Sequence, residues 1–312
     1  MKKNFLYFSI ILSLVVLTAC AGPASQPQTP AGASGGPLNV VATTTIVGDV
    51  VRSIGGDAIH LVVLLPPGTD PHSFQPTPQD VAKVSDADLI FINGAGLESF
   101  MNSLLSSSGD GAKVVAVSDG IHLLNAPKGE IGAPSDEAGD PHVWMDPNNA
   151  MVWVDNIEHA LSEADPANSA LYTQNATNYR QTLSELDKWV REQIAQIPTS
   201  NRKLVTDHQV FGYFAERYGF TQVGTLIPGY STMSEPSAQE LAALETAIGQ
   251  LGVPAIFVGD TVNPSMAERV STDTNTRLVF VYTGSLTKDE GPASTYPDFI
   301  RYNVNAIVDA LK

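Results

Sequence analysis

The chain has 312 residues, 43% of them hydrophobic, which is enough apolar side chain for substantial cores and excludes a disordered chain. Its formal net charge is −16 and its pI is about 4.6. A polyanion such as nucleic acid would therefore be repelled, while cations would be concentrated near the surface. Acidity alone does not identify a function, since most acidic proteins are simply soluble.

The first twenty residues have the pattern of an export signal. Two lysines precede an apolar run from Phe5 to Val16, and small residues surround Cys20, the only cysteine. The run is short for a membrane-spanning helix. The pattern resembles a bacterial lipoprotein signal, in which residues 1–19 are removed and Cys20 carries the lipid; the alternative is an uncleaved signal anchor. We therefore predict an extracytoplasmic protein, lipid-anchored to the outer face of the cell membrane, with no thiol left for metal ligation.

Residues 20–37 predict a flexible tether. After Cys20 this segment consists of Gly, Pro, Ser, Thr, Ala and Gln, and it has no large apolar side chain. Nothing in it can be buried to offset the entropy lost on ordering. The folded body is therefore expected to begin at Leu38.

Residues 38–163 are predicted to form an N-terminal α/β lobe. Apolar runs such as LVVLL and LIFI indicate strands covered on both faces, as in a parallel sheet flanked by helices. In chain order the segments are strand LNVVATTT, helix IVGDVVRSIGG, strand HLVVLLPPG, a short helix TPQDVAKVSDA capped by Thr77, strand DLIFING, helix LESFMNSLLSS and strand KVVAVS, with a helix after Pro147.

A long linking helix is predicted over residues 164–198, because no Pro or Gly interrupts the chain between Pro166 and Pro198. Apolar residues follow the spacing of one helix face there: Leu183, Leu186, Val190, Ile194 and Ile197.

Residues 199–312 resume the alternation as a C-terminal α/β lobe, with strands KLVT, AIFVG and RLVFVY and helices QVFGYFAERYG, SAQELAALETAIGQLG, PSMAERVSTD and FIRYNVNAIVDALK. A site between the lobes would lie at the carboxyl ends of the strands.

The most specific pattern is Asp-Pro-His, which occurs twice, each time with an aromatic residue two positions later. GTDPHSFQPTP contains His72, GDPHVWMDP contains His142, and His208 follows a predicted strand in LVTDHQVFGYF. All three histidines fall where they could face the cleft, and three imidazoles make most of a tetrahedral zinc shell. We therefore predict a metal ion held by two histidines of one lobe and one of the other.

An aspartate lies next to, or two residues before, each of these histidines: Asp70, Asp140 and Asp207. Such a carboxylate can accept the second ring N–H and orient the imidazole, or it can serve only as a turn former or cap. The other three histidines, His60, His122 and His159, are expected to be surface or ordinary packing residues. Binding should weaken in acid as the ligand histidines are protonated near their usual pKa of about 6.5.

These motifs, together with ADLIFINGAGLESF, AIFV and YTGSL followed by YNVNAIVDAL, resemble in order those of the zinc- and manganese-binding solute-binding lipoproteins of metal ABC importers. The resemblance covers Asn39 to Leu311. It implies two small parallel-sheet α/β lobes joined by one long rigid helix, with His72, His142 and His208 as ligands of an ion in the cleft. It also implies delivery of that ion to a membrane permease, with release by permease contact or loop rearrangement. We expect a monomer.

One position departs from the family pattern. Family members commonly take a fourth ligand from an aspartate in a Thr-Asp-Ser type of turn, whereas this chain has Gly284 there. Asp260 is one substitute; water or an acidic residue before His142 is another. The third histidine favours Zn²⁺, since Mn²⁺ prefers oxygen, although Mn²⁺ is kept as the alternative. The acidic candidates before His142 are Glu130, Asp136, Glu137 and Asp140.

Three histidines and an open position also describe a catalytic zinc site. A zinc hydrolase would need an activated water and a base, but HExxH, GxSxG and the phosphate-binding GxxxxGK are all missing from the sequence. We therefore predict no enzymatic activity. A surface adhesin is compatible with a lipid-anchored protein, but no residue pattern favours cell adhesion specifically.

Overall fold

The computed structural model describes residues 36–108, 112–125 and 139–312. The predicted signal, Cys20, nearly all of the tether, and the acidic residues Glu130, Asp136 and Glu137 lie outside these ranges. Within the described ranges, no helix combines the length and the apolar character needed to cross a membrane.

The first half contains a parallel sheet of four strands in the order β2-β1-β3-β4. Thr77 caps α2 with a reciprocal pair of hydrogen bonds to Asp80, as its position before Pro78 predicts. The elements are β1 Leu38–Ala42, α1 Thr45–Gly55, β2 Ile59–Val63, α2 Pro78–Ser85, β3 Leu89–Ile92, α3 Met101–Ser108 and β4 Lys113–Ala116.

Two helices connect the halves, α4 over Pro147–Ala164 and α5 over Ser169–Ile194. The 26 residues of α5 correspond to about 39 Å of helix. It begins later than the predicted segment because Pro166–Asn168 form a separate 3₁₀ turn. Its apolar face packs on α1 and α4 on one side and on the last helix of the chain on the other.

The second half contains another parallel sheet, in the order β6-β5-β7-β8. Strand β6 was not predicted, since TQVGT carries a single strongly apolar residue, Val223. As an edge strand it pairs only with β5. The elements are β5 Lys203–Thr206, α6 Gly212–Tyr218, β6 Thr221–Thr225, α7 Ala238–Leu251, β7 Ala255–Gly259, α8 Ser265–Thr274, β8 Arg277–Val281 and α9 Tyr296–Leu311.

One hydrophobic core runs through both halves. It includes Val40 of β1, Trp153 of α4, Leu183 of α5, Phe257 of β7 and Leu311 of α9. Smaller clusters cover the outer faces of the two sheets. The described part of the chain is therefore a pair of α/β lobes whose inner faces share one core, and the loops at the carboxyl ends of both sheets meet above it.

Asp49 of α1 joins the lobes through a half-buried carboxylate that accepts a hydrogen bond from the backbone N–H of Tyr296, 2.8 Å away, at the start of α9. Burial raises its pKa to about 6, against opposing contributions from that amide and from Arg52. Because the folded pKa exceeds the unfolded one, the protonated carboxyl favours folding. Stability is therefore lost as the pH rises from about 4 to about 6.

We expect Asp49→Asn to remove this pH dependence. An amide is neutral at every pH and its oxygen can still accept from Tyr296, so the variant should be more stable than the wild type at pH 7 by about 1–3 kcal/mol. The difference should shrink towards pH 4. Urea unfolding of the metal-free protein at several pH values measures it, and parallel pH profiles for the two proteins would contradict the assignment.

Candidate metal centre

The three predicted ligands converge at the carboxyl ends of the two sheets. His72 lies in the loop after β2, and His142 lies just before the short 3₁₀ turn Val143–Met145 that leads into α4. His208 lies two residues beyond the end of β5. The first lobe thus contributes two imidazoles and the second lobe one, as the sequence predicts.

The imidazoles are close enough to share one ion. One potential ligand nitrogen from each ring lies within 4.8 Å of the other two, and the Nε2 atoms of His72 and His142 are 3.1 Å apart. A tetrahedral zinc ion with bonds of about 2.1 Å would separate two such nitrogens by about 3.4 Å. His142 and His208 are only 1% and 3% exposed, so an ion here would be almost enclosed.

Two carboxylates fix the orientation of two rings. Nδ1 of His142 lies 2.8 Å from Oδ1 of Asp140, and Nδ1 of His208 lies 2.5 Å from Oδ1 of Asp207. With the proton on Nδ1 and donated to the carboxylate, the Nε2 lone pair is left for a cation. The contact between an aspartate and a histidine ring, which the sequence allowed, is thus observed at two of the three positions.

Asp70 has the other role. Its Oδ1 accepts from the backbone N–H of His72 at 3.0 Å, and its Oδ2 accepts from the hydroxyls of Ser73 and Thr232 at 3.0 and 2.6 Å. It therefore shapes the turn that carries His72, without contacting the ring. Through Thr232 it also links this turn to the loop after β6 in the other lobe.

Burial shifts the proton affinities of the site. Desolvation, with repulsion from the neighbouring rings, lowers the pKa of His72 to about 2 and holds that of His142 well below its usual value. Burial raises the pKa of Asp140, against the opposing contribution of the backbone N–H of His142. Protons therefore compete for the imidazoles of His72 and His142 at a more acid pH than the value of about 6.5 expected from the sequence.

No carboxylate among the described residues joins the three histidines as a fourth ligand. Asp260, directly after β7, is exposed and is not part of the cluster, which among the described residues consists of the three histidines alone. Gly284 does line the site. A Cβ built there would lie 2.9 Å from Cδ of Pro71, so a side chain at 284 would require the His72 turn to shift.

Three supporting residues were not predicted. The indole N–H of Trp144 donates to the carbonyl of Thr283 at 2.9 Å, which ties the His142 turn to the Gly284 turn across the lobes. The hydroxyl of Tyr213 donates to the backbone carbonyl of Asp140 at 2.8 Å. The side-chain amide of Asn93 donates to the backbone carbonyl of Pro141 at 3.0 Å. Only Trp144 had a signal in the sequence, its repeated spacing from a histidine.

The remaining histidines are separate from the centre. His60, His122 and His159 are all exposed. Among the described residues, only His159 of these three approaches a charged partner, Glu163 at 3.9 Å one helical turn away. These positions fit the surface role expected from the sequence.

Comparison with known proteins gives consistent relatives. The family model described as "Zinc-uptake complex component A periplasmic" matches residues 40–310. The manganese-binding lipoprotein MntA of Halalkalibacterium halodurans is 33% identical over 100% of this chain and 99% of its own length. The manganese ABC transporter substrate-binding lipoprotein PsaA of Streptococcus mitis is 34% identical over 100% of this chain and 99% of its own length.

Solved structures show the same architecture. The periplasmic zinc-binding protein TroA of Treponema pallidum superposes with a TM-score of 0.80 at 32% identity, covering 89% of this chain and 99% of that one. A manganese-bound periplasmic metal-binding protein of Candidatus Liberibacter asiaticus gives 0.77 at 30% identity, covering 88% and 99%. With its paired sheets, its long helix and the matched residues 40–310, the chain belongs to the ZnuA family.

Proposed function

We propose that this chain is the extracytoplasmic substrate-binding protein of a metal ABC importer and that its cargo is Zn²⁺. The observation that carries the proposal is the enclosed cluster of three imidazoles contributed by both lobes. His72, His142 and His208 bind the ion, while Asp140 and Asp207 hold two of the rings in the binding tautomer. The ion is cargo, so the site has to capture it and also to release it.

The choice of zinc rests on the ligand set. Imidazole is a good ligand for Zn²⁺, whereas Mn²⁺ favours carboxylate and water oxygens. The relatives do not decide between the metals, because MntA and PsaA are named for manganese and TroA for zinc. Here the third ligand is His208 and position 284 has no carboxylate, so the described centre has no anionic ligand. Manganese remains the alternative cargo.

The rest of the chain fits a component of an importer. We assign residues 1–19 to the signal, Cys20 to lipid attachment and residues 20–37 to the tether. Residues 38–163 and 199–312 form the two lobes, and residues 164–198 the link between them. The relatives named as lipoproteins of ABC transporters support anchoring outside the cytoplasm and a membrane permease as the partner. The protein is expected to act as a monomer and without catalysis.

Competitive metal binding tests this proposal. The chelator-stripped soluble domain should bind one equivalent of Zn²⁺, and more tightly than Mn²⁺ by roughly tenfold or more, because all three ligands are imidazoles. Titration against a chromophoric chelator measures both affinities in one buffer. Equal or tighter Mn²⁺ binding would contradict the zinc assignment, absence of stoichiometric metal would contradict the site, and zinc-dependent hydrolysis would contradict the absence of catalysis.

A further inference from the structure

A cavity of about 430 Å³ lies beside the histidine cluster, at the seam between the lobes. It is bounded by the His72 turn, the loop after β6 and the first turn of α8. It shares Asp70 and Thr261 with the enclosed space that holds the three imidazoles. Of the larger cavities found among the described residues, a 240 Å³ one reaches only Asp140 at the centre, and a 550 Å³ one has no residue of the centre in its wall.

The lining of this cavity has two chemical parts. Its walls are mainly apolar, with Leu226, Val258 and Met266 beside neutral polar side chains such as that of Thr261, while Met233 at the rim is 67% exposed. Its charged lining residues are Asp70, Asp207 and Glu235, and no Lys, Arg or His is among them. Apolar walls do not stabilise a hydrated ion. They do suit the side chain of a lysine or arginine, whose aliphatic stem packs on apolar surface while its charged group pairs with carboxylates.

One lining carboxylate, that of Asp70, is connected to the metal centre. Oδ2 of Asp70 accepts from the hydroxyl of Thr232 at 2.6 Å, across the lobe seam, and Oδ1 accepts from the backbone N–H of His72. A cation in the cavity would compete with the Thr232 hydroxyl for Asp70, since a carboxylate binds a charged donor more strongly than a neutral hydroxyl. Such competition would loosen both the seam and the turn that carries one ligand.

Resting on the proposed function, we propose that this cavity receives a basic side chain of the importer's permease, and that its entry weakens the hold on the cargo. The inserted cation pairs with Asp70 and Glu235 while its stem lies on the apolar wall. The link from Thr232 through Asp70 to His72 then couples docking to release. Loaded protein arriving at the permease would thus be opened by the partner that takes the ion.

The test uses n-butylguanidinium as the probe and n-butylurea as a neutral molecule of matching shape. On the wild type, n-butylguanidinium should speed the transfer of bound zinc to an excess of chelator by roughly fivefold or more, a typical coupling between two sites. By linkage, its affinity should be lower for zinc-loaded than for metal-free protein by the factor by which it weakens zinc binding at equilibrium. Calorimetry and stopped-flow fluorescence measure the two quantities.

Variants locate the effect. Glu235→Gln removes an exposed rim charge, and Ala267→Leu fills the cavity wall on α8; both should lower the response to the probe and leave zinc affinity unchanged. Asp289→Asn, which removes a charge beside the separate 550 Å³ cavity, is the matched control and should respond like the wild type. Because Glu235 is exposed, its variant keeps the test valid even where Ala267→Leu folds poorly.

Four outcomes would overturn the inference: no binding of the probe, an equal effect of n-butylurea, an equal effect of Mg²⁺ at the same ionic strength, or binding without faster zinc transfer. The Mg²⁺ result would instead indicate a general cation vestibule. Failure of the proposed function has a different signature, since a wild type that binds no zinc can still be titrated with n-butylguanidinium in its metal-free form.

Discussion

His208→Ala should abolish tight metal binding. His208 is the only imidazole that the second lobe contributes to the cluster. Its removal leaves two nitrogen ligands from one lobe, so the loss in affinity should exceed the roughly 10- to 100-fold that loss of an orienting partner costs. The rise in melting temperature on adding zinc should disappear with it, since a ligand at 100 times its Kd stabilises a protein by about 2.7 kcal/mol.

Asp260→Ala is the matched control for this substitution. Asp260 is an exposed carboxylate near the same edge of the second sheet and is outside the cluster. Its loss should leave zinc affinity close to that of the wild type. A large loss in this variant would show that Asp260 reaches the ion when zinc is bound. Retention of tight zinc binding by His208→Ala would remove the basis for a site shared between the lobes.

Asp207→Asn should weaken both the metal site and the fold. Three donors converge on this buried carboxylate: the backbone N–H and the ring Nδ1 of His208, at 2.6 and 2.5 Å, and the backbone N–H of Gly259, at 2.5 Å. An amide has one acceptor oxygen, so its NH₂ group must face one of these donors. We expect zinc affinity to fall by roughly 10- to 100-fold and the metal-free protein to lose about 1–3 kcal/mol.

Asp70→Asn is the comparison for Asp207→Asn, because Asp70 shapes the turn that carries His72 whereas Asp207 contacts the ring of His208. The hydroxyls of Ser73 and Thr232 can accept from the new amide NH₂, and its oxygen can still accept from the backbone of His72. Asp70→Asn should therefore lower zinc affinity less than Asp207→Asn does. Chelator competition and urea unfolding, run side by side on the two variants, give the comparison, and equal losses would argue against a special role for the contact between Asp207 and the ring.

Much of this architecture could be read from local sequence. Buried parallel strands are recognisable as apolar runs. The three histidines, two in loops and one after a strand, could be placed because the ends of those strands were recognisable. Strand β6 was missed because an edge strand needs fewer apolar residues; Val223 alone does not make a pattern. Its place is set by pairing with β5, which is a property of the folded sheet.

Contacts between distant segments set the limit of prediction at the site. Which aspartate meets a ring depends on the turn each occupies, so Asp70 and Asp140, both in Asp-Pro-His, act differently. The hydrogen bonds from Trp144 to Thr283 and from Tyr213 to Asp140 join residues far apart in the chain. No local pattern specifies such partners, although the repeated aromatic spacing did single out Trp144.

The core that runs through both lobes has a consequence for the life of the protein. Residues from Val40 to Leu311 share this core. Unfolding of one half would therefore expose the core residues of the other half to water, so the two halves are expected to unfold together. On the proposed function, an ion bound by the three histidines stabilises this shared core against unfolding, including core segments far from the cleft, by mass action. Proteases cleave the transiently opened form. Outside the cytoplasm, the protein that carries cargo should therefore outlast the protein that does not.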